Sequence, residues 1–319
     1  KATGSGSAPY ADTYYVYDDF GNLVLAIPPK VAFSTLAELG SQLDALCYQY
    51  RYDRYNRLVE KRLPGKSAWE SVVYDKQGRA VLTQDANQAS KQWSFVKYDS
   101  QGRVAYSGLF SSAASRSSLQ ATLDNMSSNA LNNESRTDTP FSLNGLDIYY
   151  TNAAFPTGGM TVMSVNYYDR YPAGSPAVPA TVLHQATLPQ APVSITSNGY
   201  TTSRSVQSLP VAGYTKNIEN DSWSSSFIWY DQKARPVGTY GKNHLGGYTR
   251  TESEIDFSGV TKQSLTYHVR KSGETGVSIK ERFTYDHQNR LLQHYHQVDS
   301  RAEELLSSVT YNDLGQIIN

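Results

Sequence analysis

Residues 282–296 read RFTYDHQNRLLQHYH. Phe283 and Tyr285 alternate with Arg282 and Thr284, the period of an extended strand with two different faces. Asp286-His287-Gln288-Asn289 then interrupts the alternation. Aspartate opening a four-residue turn bonds the backbone two residues on, and asparagine or glycine at its fourth place tolerates the left-handed conformation that closes it. Arg290-Leu291-Leu292 resumes as a strand, so the stretch predicts a β-hairpin.

The same hairpin is written along the chain several times. Copies stand at Tyr17-Asp18 with Gly21, at Tyr52-Asp53 with Asn56-Arg57, and at Tyr74-Asp75 with Gly78-Arg79. Others stand at Tyr98-Asp99 with Gly102-Arg103, Tyr230-Asp231 with Arg235, and Tyr285-Asp286 with Asn289-Arg290. Tyr311 with Gly315 forms the last, and weaker copies are read at Tyr168–Pro172 and Ile255–Gly259. Such spacing accommodates two short strands, a turn and a link. A catalytic site is built once, whereas these residues recur, so tyrosine is expected to pack along the sheet and aspartate to cap the turn. The arginine is expected to reach a neighbouring repeat's carboxylate.

The wider chain fits an all-β repeat architecture with one or two short helices. At 319 residues it exceeds the size at which one core stops growing. Tyrosine, at 25 residues, far outnumbers the 9 phenylalanines, which suits a surface packed at the ring and wet at the hydroxyl. Thr35 and Glu38 form a capping box ahead of Leu36, Leu39, Leu43 and Leu46, predicting a helix over about 35–47 that lies on the sheet. Leu119, Leu123 and Met126 allow a second. Hairpins are expected over 1–109 and 221–319, flanking an irregular insertion with some strands over 110–220, the whole forming one continuous repeat architecture.

Chemistry-bearing motifs are sparse. Lys+Arg and Asp+Glu are equal at 29 each, which argues against a general nucleic-acid binder or an anionic-membrane binder. No apolar run approaches a membrane span, and Cys47 alone can form no disulfide within the chain. His294 and His296 share a strand face and could offer two imidazoles to a metal, with Asp286 or Asp299 as third ligand, but a polar strand face explains them better. Ser258-Gly259 and Ser272-Gly273 read as turns, not nucleophile elbows. Gly158-Gly159 and Gly246-Gly247 lack the Lys-Ser/Thr of a phosphate loop. No catalytic, metal or cofactor site is assigned. Exposed aromatics, among them Trp93, Trp223, Trp229 and many tyrosines, could form a platform that stacks on sugar rings, although cross-strand packing explains them more simply.

The Tyr-Asp-x-x-Gly/Asn-Arg-Leu/Val pattern resembles the tyrosine-aspartate (YD) repeats of rearrangement-hotspot (Rhs) proteins. The links LPGK (63–66), VLTQDAN (81–87) and NHLGG (243–247) look most like the large Rhs-type proteins of Bacteroidetes bacteria. The resemblance implies a curved, spiralling sheet forming part of a hollow shell around a C-terminal toxin or effector, in a larger secreted or cell-surface protein. The implied partners are the remainder of the same polypeptide and its enclosed cargo, with glycans or secretion machinery as further candidates. The family's self-cleaving core contains Asp-Pro, a dipeptide lacking here, so neither that activity nor a toxin is assigned. The chain starts at Lys1 rather than Met and is expected to be a piece of a longer polypeptide. Cell-surface adhesion or carbohydrate binding is the alternative function.

Overall fold

The computed structural model describes residues 12–33, 35–88, 91–197 and 199–318. It is an all-β protein of repeated antiparallel hairpins with two short helices, and it divides into two compact units.

The first unit comprises Lys1–Ser135 and Thr151–Thr161. Its strands are β1 (Tyr14–Tyr17), β2 (Leu23–Ile27), β3 (Tyr48–Tyr52), β4 (Leu58–Arg62), β5 (Glu70–Tyr74), β6 (Ala80–Gln84), β7 (Gln92–Asp99) and β8 (Val104–Ser111). Each pairs antiparallel with the next, and β9 (Asn133–Glu134) joins β7 in parallel. Helix α1 (Leu36–Leu46) starts where the capping box predicts, with the Thr35 hydroxyl accepting the Glu38 N–H. Leu39 packs with Ile27, Val31 and Cys47, and Leu43 and Leu46 border that cluster. Leu36, expected on the same face, is 84% exposed. As the first residue after the cap it stands beyond the edge of the cluster. Helix α2 (Arg116–Asp124) buries Leu119 and Leu123. Its Gln120 amide accepts the Tyr74 N–H and donates to the Tyr74 carbonyl, satisfying strand groups left open at the end of β5.

The second unit comprises Arg136–Tyr150 and Val162–Asn319. Three short hairpins, β10 (Arg136–Leu143) with β11 (Leu146–Tyr150), β13 (Thr181–Val182) with β14 (Gln185–Ala186), and β15 (Val193–Ser197) with β16 (Tyr200–Arg204), stand apart from its main sheet. That sheet runs through β12 (Met160–Tyr168), β17 (Pro210–Lys216), β18 (Trp223–Tyr230), β19 (Pro236–Lys242) and β20 (Gly246–Ile255). It continues through β21 (Thr261–Lys271), β22 (Val277–Tyr285), β23 (Leu291–Val298) and β24 (Glu304–Ser308), antiparallel throughout.

The turns share one geometry. At Tyr285 the register shifts so that it faces Leu291, the Asp286 N–H donates to the Arg290 carbonyl, and the Asn289 N–H donates to the Asp286 carbonyl. This is a four-residue turn closed by a left-handed residue in a bulge. Asn56 and Asn289 hold that place at φ 58° and 60°, Gly78 and Gly102 at 80° and 78°. The weak copy at Tyr168 is different. Tyr168 faces Pro210, and the Asp169 N–H donates to the Leu209 carbonyl, so the repeat hairpin is present with its turn opened by a long insertion. The second half of that copy lies at Leu209-Pro210, not at Arg170–Pro172, because a hairpin's register fixes only its two strand ends.

Ala234 occupies the same left-handed place at φ 63°, a conformation costing an L-residue with a Cβ about 1–2 kcal/mol. Ala234→Gly is expected to stabilise the protein by about 1 kcal/mol, net of glycine's greater freedom in the unfolded chain. Gly102→Val is expected to destabilise by more than about 1 kcal/mol, while Gly102→Asn is nearly neutral. Denaturant titration of the three variants checks this, and a stabilised Gly102→Val would show that the turn is misassigned.

Candidate functional site

The repeat residues converge along one end of the strands in each unit. Within a repeat, the aspartate side chain accepts two backbone N–H groups of its own turn: those of Tyr55 and Arg57 for Asp53, Gln77 and Arg79 for Asp75, Gln101 and Arg103 for Asp99, Lys233 and Arg235 for Asp231, and Gln288 and Arg290 for Asp286. Its other oxygen pairs with the arginine four residues on, at 2.7 Å for Asp75–Arg79 and 2.6 Å for Asp286–Arg290. Asp53–Arg57, Asp99–Arg103 and Asp231–Arg235 repeat the pair. The expectation that the arginine reaches a neighbouring repeat's carboxylate is therefore corrected. The turn brings its own aspartate closer.

The neighbouring repeat is engaged through tyrosine instead. The Arg57 guanidinium lies 4.5 Å from the Tyr74 ring centre, Arg79 4.7 Å from Tyr98, and Arg290 4.5 Å from Tyr311, within cation–π range. Each tyrosine hydroxyl then donates to the first carbonyl of the preceding return strand. Tyr52 reaches Leu23, Tyr74 reaches Leu58, Tyr98 reaches Ala80, Tyr230 reaches Pro210, Tyr285 reaches Thr261 and Tyr311 reaches Leu291, all at 2.6–3.0 Å.

Departures from the pattern are compensated. Asn22 replaces arginine and bonds both Asp18 and Asn56. Val260 stands at another arginine place, and Lys262, two residues on, both pairs with Asp256 and lies over Tyr285. Where Ile255 replaces the next tyrosine, Arg235 donates to the Asp256 and Phe257 carbonyls. In the last turn, Asn312 and Gln316 replace the ion pair by an amide hydrogen bond, with Gly315 at φ 77°. Asn243 builds the same turn with Gly246 and Gly247, a copy hidden by Lys242 in the tyrosine's place.

The histidines are not brought to a common ligand. His294 bonds Glu281 through Nε2 at 3.0 Å and stacks on Phe283, while Asp286 and Asp299 lie beyond opposite ends of β23. Cys47 is fully buried, and burial pushes its thiol pKa up. Trp93 and Trp229 are buried at 2% and 3% exposure, so the suggested exposed platform is corrected for these two. Trp223 donates its indole N–H to the Asn144 carbonyl. In the second unit, Tyr150, Tyr167, Tyr214, Phe227, Tyr240, Tyr248 and Tyr267 form a continuous run of ring contacts across seven strands, with centroids 5.2–6.3 Å apart. A groove of 610 Å³ lies at its end beside Arg250 and Pro176.

One constellation escaped the sequence reading. Lys97 and Glu134 are fully buried and 3.0 Å apart. The Lys97 ammonium also contacts the Tyr106 hydroxyl at 3.0 Å and Asn152 Oδ1 at 2.7 Å. Glu134 further accepts from Tyr106, Thr151 and the Ala153 and Ala154 N–H groups. Burial lowers the Lys97 pKa to about 8, against the opposing pull of Glu134, and raises that of Tyr106. Glu134 and Asn152 lie 37 and 55 residues from Lys97, too far along the chain to form a local motif.

No family model matches the chain, and no curated protein matches it. Among solved structures it is similar to a crystal structure of TcdB2-TccC3-Cdc42, at 12% identity and a TM-score of 0.33, covering 100% of this chain and 14% of that one. A crystal structure of TcdB2-TccC3 without its hypervariable C-terminal region gives 12% identity, a TM-score of 0.32 and coverage of 96% and 14%. The chain thus spans about one seventh of each.

Asp75 is 2% exposed, so Arg79→Ala leaves a buried carboxylate with backbone partners only and is expected to cost about 3 kcal/mol. A double-mutant cycle of Arg79→Ala with Tyr98→Leu is expected to show coupling of about 1 kcal/mol. Additivity there would refute the cross-repeat contact. The carboxyls of Asp18, Asp256 and Asp286 are held below their ordinary value, chiefly by Asn22, Ser258 and the Arg290 N–H respectively. Depressed folded pKa values confer stability that is present above the ordinary aspartate range and lost as pH falls through the folded values. Stability is therefore expected to be flat with respect to these groups above about pH 5 and to fall below about pH 4, as thermal unfolding against pH will show.

Proposed function

We propose that this chain is a wall segment of an Rhs-type repeat shell, a structural and non-catalytic part of a larger secreted bacterial protein that encloses a C-terminal toxin or effector. The observation that carries it is the interlock: the return-strand carbonyl of one repeat receives the tyrosine hydroxyl of the next, and Arg57, Arg79 and Arg290 each cover that tyrosine's ring. Such coupling propagates hairpin by hairpin with nearest-neighbour contacts only. It builds a long sheet whose internal edges are all paired.

The outermost strands fit the same reading. Tyr14, Tyr15, Val16 and Tyr17 of β1 are each more than 40% exposed, and Leu305 and Leu306 of β24 are half exposed. A further hairpin of the same kind would cover apolar surface at either strand and set an arginine against the Tyr17 ring as Arg57 is set against Tyr74. The partner is thus the remainder of the same polypeptide, with its cargo enclosed. The sugar-binding alternative has less behind it, because Tyr240 and Tyr248 turn their faces on each other rather than towards a ligand.

In the full-length polypeptide, a C-terminal cargo is expected to resist added protease, and Arg57→Ala combined with Arg79→Ala to expose it at lower denaturant concentration. Cargo digested as fast in the native wild type as in unfolded protein would overturn the shell reading. Saturable, sugar-competed binding on a glycan array, lost on Trp223→Ala, would favour adhesion.

A further inference from the structure

The buried cluster of the first unit has the parts of a self-reacting site. Its nucleophile is the Lys97 amine, its electrophile the Asn152 carboxamide, and both meet the Glu134 carboxylate in the protein interior. The Lys97 nitrogen is 2.7 Å from Asn152 Oδ1. With a C=O bond of about 1.23 Å, it lies no more than about 3.9 Å from the carboxamide carbon, close to the separation of a near-attack arrangement. The Glu134 oxygen at 3.0 Å can take the ammonium proton. The Tyr106 hydroxyl, 3.4 Å from Asn152 Oδ1, is placed to donate to that oxygen as negative charge develops on it.

We infer that Lys97 and Asn152 join through a side-chain amide, formed autocatalytically within the folded first unit with Glu134 as proton shuttle. Glu134 removes a proton from the ammonium, and the free amine attacks the Asn152 carboxamide carbon to give a tetrahedral adduct whose oxyanion is stabilised by Tyr106. The carbon–nitrogen bond to Nδ2 then breaks, and protons passed on by Glu134 release Nδ2 as ammonia. One C–N bond forms and one breaks, with no oxidant, metal or cofactor required. Amine and carboxamide become a secondary amide and ammonia.

Three features of the cluster favour this chemistry over a passive ion pair. Desolvation brings the Lys97 pKa to about 8, so an appreciable share of the amine is free near neutral pH, whereas a surface lysine is almost wholly protonated there. The Tyr106 hydroxyl is held protonated by the same burial and by Glu134, keeping it a donor. Glu134 is fixed by the Thr151 hydroxyl and two backbone N–H groups, so its proton transfers need little reorganisation. The chain leaves this unit after Ser135 and returns at Thr151. An amide from β7 to Asn152 would lock the point of return.

Intact-mass spectrometry of the denatured chain tests this directly. The wild type is expected to be lighter than its sequence by one ammonia, about 17 Da, and Asn152→Ala to show its full sequence mass. Asn152→Ala retains the Lys97–Glu134 pair and is expected to fold. Trypsin is expected to leave peptides 92–103 and 137–170 of the wild type joined, uncut after Lys97. That joined species distinguishes the bond from ammonia loss at Asn144-Gly145, which stays within one peptide. Glu134→Gln is expected to abolish the joined peptide, and Tyr106→Phe to slow its appearance at least several-fold. Wild-type protein at full mass after prolonged incubation at pH 8, with peptides 92–97 and 98–103 recovered separately, would overturn the proposal and leave a non-covalent ion pair.

Discussion

The structure depends on a three-way contact that is complete at Arg57, Arg79 and Arg290: aspartate holds arginine, arginine covers the next tyrosine, and that tyrosine's hydroxyl closes on the carbonyl after the arginine. None of these terms is large alone. A partly exposed ion pair contributes about 0–1 kcal/mol, a cation–π contact about 0.5–2 and a net hydrogen bond about 1. Their effect comes from sharing one guanidinium, since an arginine already fixed by its own aspartate loses little further freedom on meeting the ring. The tyrosine excess follows from the same contact. Phenylalanine would pack equally well but leave the carbonyl beside the bulge without its donor.

Hairpins and turns were legible in the sequence because their causes are local. Tyr285 to Leu291 carries the alternation, the capping aspartate and the left-handed residue within seven positions, and each can be read without knowing what lies across the sheet. The arginine's partner was not legible. Asp286 and the next repeat's carboxylate are chemically equivalent in sequence, and only the bulge decides that Arg290 folds back onto Asp286. The opened hairpin of Tyr168 and Pro210 was misread for a related reason: its turn signal was sought beside the tyrosine, while the register holds its second half beyond an insertion that folds into hairpins of its own. The copy at Asn243 was missed because Lys242 removes the tyrosine while the turn itself is kept.

The second unit shows how a sheet with so few large aliphatic side chains in its outer strands holds its register. From β12 to β21 each strand of the main sheet contributes one ring to a continuous run, and Tyr150 of the separate β10–β11 hairpin stacks on the first. Offset and edge-on contacts of this kind add about 0.5–1.5 kcal/mol each beyond their buried area. A one-residue slip in any strand would carry its ring to the opposite face and break two contacts. Aromatic rings therefore specify register here as well as adding to stability, and the groove near Trp229 lies at the end of that run.

The two polar systems of the protein differ in kind. Repeat pairs sit at strand ends, partly open to water, and tolerate replacement: Asn22, Lys262 and Gln316 stand in for arginine with altered but complete hydrogen bonding. Lys97 and Glu134 have no such latitude, since both are fully buried and removing either leaves an unpaired charge in the interior. A hydrophobic pair of similar volume would serve stability as well or better, so packing alone does not account for a lysine, a glutamate and an asparagine at this spot. Covalent closure does. It consumes the amine that burial makes costly to keep charged, leaves Glu134 neutral with the proton it took, and joins Lys97 to Asn152 by a bond that unfolding cannot break.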